Sequence, residues 1–388
     1  MSATLVTVKD PNNGRLKRFN RPAHHRNDTK SLFTNPWPSF QDINTFGLYG
    51  FFWKLATAAP TPEPDIEKTL KLQAPTWGNG LVSNGIKATW LGHACFLVEL
   101  PGHDGARGPR ILFDPVFSSR CSPSAHFGPA RYTKPPCPLE SIPDIDIVVI
   151  SHNHYDHMDE PTLRVLHKQH NPHFFAPLNN GAFFANLAIQ STHFHILDWW
   201  DFREVSVEFP SSTTGSGGPT TSKFKLTCTP SQHQSARGMF DRMTTLWSSW
   251  AVEELPSSPS TRAHKVWFGG DTGYRHVSAH ENEEEVPVCP AFKQIGEKFG
   301  GFDLALIPIG AYNPRPEMSS MHASPSDAVR IFQDIKARKA IGMHWGTWIL
   351  TVEPIMEPPK LLAEEAKKAG LSEDAFTVCG LGETVVVS

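Results

Sequence analysis

The 388-residue sequence is short of several things. Its six cysteines (Cys95, Cys121, Cys137, Cys228, Cys289, Cys379) include no Cys-x-x-Cys pair. Scattered in this way through a chain of this length, they exclude a disulfide framework and favour a reducing, intracellular setting. No run of about 18–20 apolar residues is present, so a spanning helix is not expected. The N-terminus lacks the charged-then-apolar layout of a secretory signal. Charge is nearly balanced, with a formal net charge of −3, which gives no global pull toward nucleic acid. Tyrosine is scarce, at 5 against 25 Phe and 11 Trp. No solenoid-like repeat is found.

What is there describes a globular chain, 39% hydrophobic and 19% charged, with room for a sizeable core. Residues 1–80 are rich in Pro, Asn and basic residues. They read as an extended arm, wrapped on the body or on a membrane, with one short aromatic helix at Phe46-Gly47-Leu48-Tyr49-Gly50-Phe51-Phe52-Trp53. That segment is either packed or interfacial, and the preceding Arg15, Lys17, Arg18, Arg21 and Arg26 would add attraction to anionic lipid. Residues 81–388 read as one catalytic domain. Strands are expected at 88–91, 95–100, 110–113, 145–150, 224–229, 246–252, 265–268, 304–309, 340–343 and 383–387. Helices are expected at 163–170, from a Ser324-Pro325-Ser326-Asp327 start, and near 359–368. Ser/Thr/Gly/Pro-rich loops fall at 211–222 and 256–262. Strands punctuated by helices in both halves fit two sheets packed between helices.

The densest chemistry is His152-Asn153-His154-Tyr155-Asp156-His157, directly after an expected strand. Three imidazoles and a carboxylate in six residues, with no cysteine among them, are a transition-metal site, zinc above all, of the open catalytic kind. His233, Asp271 and His344 each follow another expected strand, so strand ends can bring all seven together. His152, His154 and His233 would hold one ion. Asp156, His157 and His344 would hold a second, with Asp271 bridging. Two zinc ions would acidify water enough for hydrolysis near neutral pH. Asp114, also at a strand end, is expected to orient a ligand histidine. Tyr155 is expected to line the pocket.

The motif His152-x-His154-x-Asp156-His157 with His233, Asp271 and His344 resembles the metallo-β-lactamase superfamily. Several runs narrow the resemblance: Ala88-Thr89-Trp90-Leu91-Gly92-His93-Ala94, Asp114-Pro115-Val116-Phe117-Ser118-Ser119-Arg120, Ser151-His152-Asn153-His154-Tyr155-Asp156-His157-Met158-Asp159, Gly270-Asp271-Thr272-Gly273, His344-Trp345-Gly346-Thr347 and Asn35-Pro36-Trp37-Pro38. They are similar to the N-acylphosphatidylethanolamine-hydrolysing phospholipase D family over roughly residues 35–388. The resemblance implies an α/β fold, the metallo-β-lactamase-like αββα sandwich, preceded by the arm. It also implies two Zn²⁺, a homodimer in peripheral contact with membrane, and cleavage of N-acylphosphatidylethanolamine into phosphatidic acid and an N-acylethanolamine. His322 resembles a family histidine near the substrate phosphate. Ala125-His126 stands where animal members tend to have Gln-Tyr, in a segment expected near substrate, which makes His126 a candidate contact. The basic front end leaves mitochondrial import open. Three alternatives remain at this point: a lactonase, thioesterase or nuclease on the same fold; a non-catalytic lipid-binding protein; and a structural zinc protein.

Overall fold

The computed structural model describes residues 4–11, 21–43, 45–80, 84–103, 105–210, 219–238, 240–256 and 262–388. Arg15, Lys17 and Arg18 lie outside the described residues, as do most of the loops expected at 211–222 and 256–262. In chain order the strands are β1 (Leu5–Lys9), β2 (Ile86–Gly92), β3 (Cys95–Glu99), β4 (Arg110–Phe113), β5 (Ile147–Val149), β6 (His173–Pro177), β7 (Phe194–Leu197) and β8 (Phe202–Phe209). They continue with β9 (Thr220–Thr229), β10 (Ser249–Glu254), β11 (Lys265–Phe268), β12 (Phe302–Pro308), β13 (Ala337–Met343), β14 (Phe376–Thr377) and β15 (Thr384–Val387). The helices are α1 (Thr45–Ala58), α2 (Ile66–Thr69), α3 (Glu160–His170), α4 (Gly181–Asn186), α5 (Ala291–Phe299), α6 (Arg315–Met318), α7 (Pro325–Asp334) and α8 (Glu357–Lys368). One sheet runs β15-β2-β3-β4-β5-β6-β7 and the other β1-β8-β9-β10-β11-β12-β13-β14.

Alternation along the strands builds the layers, because successive side chains point to opposite faces of a sheet. In β3 and β5, Phe96, Val98, Ile147 and Val149 join the large core between the sheets. Their neighbours Leu97, Val148 and Ile150 face a second core under α3 and α4, with Leu163, Leu166 and Phe184. Both faces are thus buried, as expected of strands covered by helices. Phe113 of β4 stacks on Phe268 of β11 across the sheets, with ring centroids 4.6 Å apart. On the other sheet, α7 packs on β12 and β13. The start of α7 is the expected one. Ser324 Oγ accepts from the Asp327 N–H and the Asp327 carboxylate accepts from the Ser324 N–H, both at 3.2 Å.

Strands β4 to β7 run parallel, as do β11 to β14. Parallel strands end at one edge of their sheet, where ligands collect. This puts the residues after β4, β5, β11 and β13 on a common rim.

The structure differs from the sequence reading in the arm and at β6 to β8. The arm contains β1, paired antiparallel with β8 from Leu5↔Glu208 to Lys9↔Glu204. It carries little sequence signal because one face is exposed and the other, Val6 and Val8, only partly covered, and its partner lies about two hundred residues away. Strands β6 and β7 are short and carry His173 and His195. Strand β8 alternates around Arg203, Glu204 and Glu208, so neither reads as an apolar run. Strand β10 starts at Ser249 rather than 246, because Trp247 and Ser248 are still bonding across to the other sheet and to the loop before β10. The arm is sewn to the body through Phe33, which is fully buried and donates its N–H to the Met243 carbonyl at 2.9 Å.

Candidate metal centre

Six strand ends deliver the site. Residues after β5 carry His152, His154, Asp156 and His157, and single residues follow β2 (His93), β4 (Asp114), β9 (His233), β11 (Asp271) and β13 (His344). His93, Asp114 and His344 take left-handed backbone at φ 52, 39 and 66. Such conformations are unfavourable for residues with a Cβ and persist where the surroundings hold them, commonly at functional sites. Gly270, at φ +57, precedes Asp271; a Cβ there would lie 2.5 Å from Ser151 Cβ, so only glycine lets the two rims meet.

The ligand atoms fall into two sets, each within 4.8 Å: His152, His154, His233 and Asp271; and His93, Asp156, His157 and His344. In the first, His154 Nδ1 stands 2.8 Å from His152 Nε2 and 3.3 Å from His233 Nε2. Asp271 joins the sets. Its Oδ2 is 3.9 Å from His152 Nε2, 3.7 Å from His233 Nε2 and 3.2 Å from His157 Nε2, and its Oδ1 is 3.0 Å from His344 Nε2. Asp156 Oδ2 anchors the second set, at 3.0 Å from His93 Nε2, 3.5 Å from His157 Nε2 and 3.7 Å from His344 Nε2. The structure therefore brings together all seven residues singled out by sequence and adds His93. His93 had a signal: like His344, it follows a strand directly.

The far sides of three of the rings are held. His157 Nδ1 meets Asp114 Oδ2 at 2.7 Å, His152 Nδ1 meets Ser151 Oγ at 2.9 Å, and His233 Nδ1 meets the Met321 carbonyl at 2.9 Å. Asp114 also accepts from the N–H and hydroxyl of Ser151. These contacts aim the Nε2 atoms inward, as they would for metal-bound histidines. Asn35 of the arm grips the backbone of His233 from both sides, donating to its carbonyl at 2.7 Å and accepting from its N–H at 3.2 Å.

The inward atoms fit metal. His157 Nε2, His344 Nε2 and Asp271 Oδ1 are buried and have no hydrogen-bond partner. Burial drives His152 and His233 well below the ordinary histidine range and lowers His154, so these crowded nitrogens are neutral lone pairs. Burial also opposes charge on Asp156 and Asp271, but the neighbouring imidazoles, His157 first, outweigh it and hold both carboxyls well below their usual range. His157 rises well above its ordinary value and His344 to about 9: burial opposes the rise, while Asp271, Asp156 and, for His157, Asp114 drive it. Lone pairs and carboxylates at these separations are a donor set for two divalent ions. Hard anionic and borderline imidazole ligands suit zinc and its neighbours.

The remaining expected residues are placed as follows. His322 lies beside the two sets and groups with Asp271 and His344, its Nδ1 3.9 Å from Asp271 Oδ2 and its ring 5.1 Å from that of His233; burial pushes it down to about 4. The hydroxyl of Tyr155 donates to the Arg237 carbonyl at 3.1 Å, and the Arg237 guanidinium lies over its ring at 4.0 Å. Arg237 also donates to the carbonyls of Asn153 and Met158, clamping the ligand loop, a role with no sequence signal. His126 is exposed on the loop closed by the Arg120–Ala130 bridge and belongs to neither ligand set.

A β-lactamase superfamily domain matches residues 109–345, which include Asp114, His322 and every ligand but His93. The chain is 35% identical over 328 residues to N-acyl-phosphatidylethanolamine-hydrolyzing phospholipase D 1 of Caenorhabditis elegans, covering 84% of this chain and 82% of the relative. It is 25% identical over 383 residues to the mitochondrial N-acyl-phosphatidylethanolamine-hydrolyzing phospholipase D of Saccharomyces cerevisiae, covering 89% and 73%. The crystal structure of an isothiocyanate hydrolase from Delia radicum gut bacteria shares the fold, with a TM-score of 0.51, 15% identity and coverage of 77% and 98%. A metal-dependent hydrolase with the metallo-β-lactamase αββα sandwich, this chain belongs to the N-acylphosphatidylethanolamine-hydrolysing phospholipase D family.

Proposed function

We propose that this chain is a zinc-dependent phosphodiesterase that hydrolyses N-acylphosphatidylethanolamine to an N-acylethanolamine and phosphatidic acid. The observation that carries the reading is the pair of ligand sets joined by Asp271, in a chain 35% identical to a relative named for that reaction. Zinc ions held there would supply Lewis acidity toward the phosphoryl oxygens, acidified water and a net positive site for an anionic diester.

The chain's own residues do the rest. Asp114 fixes the tautomer of His157, and Ser151 and the Met321 carbonyl fix those of His152 and His233. His322 stands beside Asp271 and His233 as a neutral imidazole that can donate one N–H to a phosphoryl oxygen. The backbone N–H of His322 donates to the Met318 carbonyl at the end of α6, and α1 packs on α6 with Lys54 Nζ 3.0 Å from Glu317 Oε1. Helix α1 exposes Tyr49, Phe52 and Trp53. Its 14 residues, about 21 Å, are too short to cross a bilayer, and no helix among the described residues is long and apolar enough to do so. Exposed aromatics on a helix packed against α6 suit a peripheral contact with a lipid surface. The working unit is a homodimer, and the mitochondrion is the compartment suggested by the name of the yeast relative.

The test is turnover of N-acylphosphatidylethanolamine, phosphatidylcholine, a lactone and RNA by the zinc-loaded chain in detergent, with and without chelator. Chelator-sensitive release of N-acylethanolamine is expected. A metal-loaded chain that cleaves lactone or RNA but neither lipid would overturn the reading.

A further inference from the structure

A second buried group of metal-ligand type lies in the described structure, away from the centre above. His24 and His25 belong to the arm, and Asp198 follows β7, one more residue on the carboxyl rim of the parallel strands. One ligand atom from each lies within 4.8 Å of the others, and all three residues are buried. His24 Nε2 is 2.7 Å from Asp198 Oδ1, and His25 Nε2 is 3.0 Å from Asp198 Oδ2. We propose that His24, His25 and Asp198 form a third metal site, for a zinc-class divalent ion, that fastens the arm to the body.

Four observations carry this. The donors are two imidazoles and one carboxylate, a set that zinc takes with a fourth, non-protein ligand. A tetrahedral ion with bonds of about 2.0 Å holds its ligands about 3.3 Å apart, and each histidine lies within several tenths of an ångström of that from one Asp198 oxygen, His24 from Oδ1 and His25 from Oδ2. His25 Nε2 is buried and, although close to the carboxylate, makes no hydrogen bond, as is true of His157 Nε2 and His344 Nε2 in the catalytic centre. Finally, the walls are apolar and stiff. Trp199 stacks on His24 with centroids 4.2 Å apart, Trp37 stacks on Trp199 at 5.5 Å, and Phe33 meets His25 edge-on at 5.5 Å. Burial holds His25 neutral, and Asp198 is held as carboxylate by the two histidines against the opposing effect of burial.

The loop bearing the histidines is already shaped. His25 bridges to Phe33, and the Thr34 N–H bonds to the His24 carbonyl at 3.0 Å. The same stretch continues to Asn35, which grips His233, and to Ser39, whose hydroxyl donates to Gln232 at 2.6 Å. An ion at His24, His25 and Asp198 therefore fixes the arm at the point from which it supports the catalytic rim.

The experiment is metal analysis of the full chain after desalting into metal-free buffer. It compares the parent with Asp198→Asn, His25→Gln and Asp271→Ala. Each of the first two is expected to lose one equivalent of zinc relative to the parent; the readout is a difference and does not depend on how many ions the catalytic centre holds or on what it hydrolyses. As a second measurement, Co²⁺ added to metal-free Asp271→Ala/His152→Ala chain should give ligand-field bands in the visible that vanish when His25→Gln is added. Equal zinc in the parent and both folded single variants, or no His25-dependent cobalt spectrum should those variants not fold, overturns the site and leaves a hydrogen-bonded latch.

Discussion

The two sheets supply the catalytic centre in opposite styles. The seven-stranded sheet gives most of its share in one loop: His152, His154, Asp156 and His157 all follow β5. The eight-stranded sheet gives one residue at a time, with His233 after β9, Asp271 after β11 and His344 after β13. The first half is set by local turns and clamped by Arg237. The second exists only when three strands are paired in register, as in Ser249↔Thr229, Trp250↔Phe268, and Leu306↔Ile341 through β12. A local half can hold its shape through small insults, whereas a distributed half shares the fate of its sheet.

Five substitutions would break or sharpen that contrast. Asp271→Ala removes the carboxylate that belongs to one set and reaches His157 and His344 of the other, so it should weaken metal binding in both and cut hydrolysis by more than about 10³-fold. His154→Ala, in the local half, should lose metal from its own set only; equal metal loss in the two variants would erase the distinction. Gly270→Ala strikes the seam where the rims touch, since its Cβ would lie 2.5 Å from Ser151 Cβ in a backbone conformation that disfavours it. Its urea midpoint should fall by the equivalent of about 2–4 kcal/mol, with activity per folded molecule falling too.

Asp114→Asn keeps the shape behind His157 but removes the charge, and metal affinity should drop about 10–100-fold in chelator competition while thermal stability changes little. The smallest effect is an acid one at the other end of the local sheet. His173 of β6 and His195 of β7 stack at 5.2 Å, and burial pushes them down to about 4 and about 3. Both are neutral when folded and take protons more readily when unfolded, so their contribution is whole above pH about 6.5 and is lost as pH falls toward those lower values. His195→Phe should flatten the melting temperature between pH 6.5 and 4.5, and an unchanged acid slope would place the sensitivity elsewhere.

How much of this was legible followed from distance along the chain. The loop 152–157 reads as metal because its chemistry is contiguous. Asp114 was also readable, since a carboxylate between a strand and Pro115 can face a neighbouring strand end. His93 was not counted, although it ends β2 just as His344 ends β13; a lone histidine in sequence looks like most of the chain's 19. Strands β1 and β8 escaped for a related reason: each is defined by a partner that sequence proximity does not name. Asn35 belongs to a readable motif, yet its grip on the backbone of His233 is a contact across 198 positions. His126, singled out only by the family it resembles, lies on an exposed loop outside both ligand sets.

Strand β1 has one more consequence. Without it, β8 would end the eight-stranded sheet with a row of unpaired N–H and C=O groups along Phe202–Phe209, next to Val205 and Val207, which are fully buried. An open edge of that kind is a template on which other chains can add. The short strand Leu5–Lys9, finishing on a lysine, closes the row and leaves a poorer template in its place. Leu5–Lys9 therefore guards solubility, and deleting this strand would invite aggregation before it touched a single ligand.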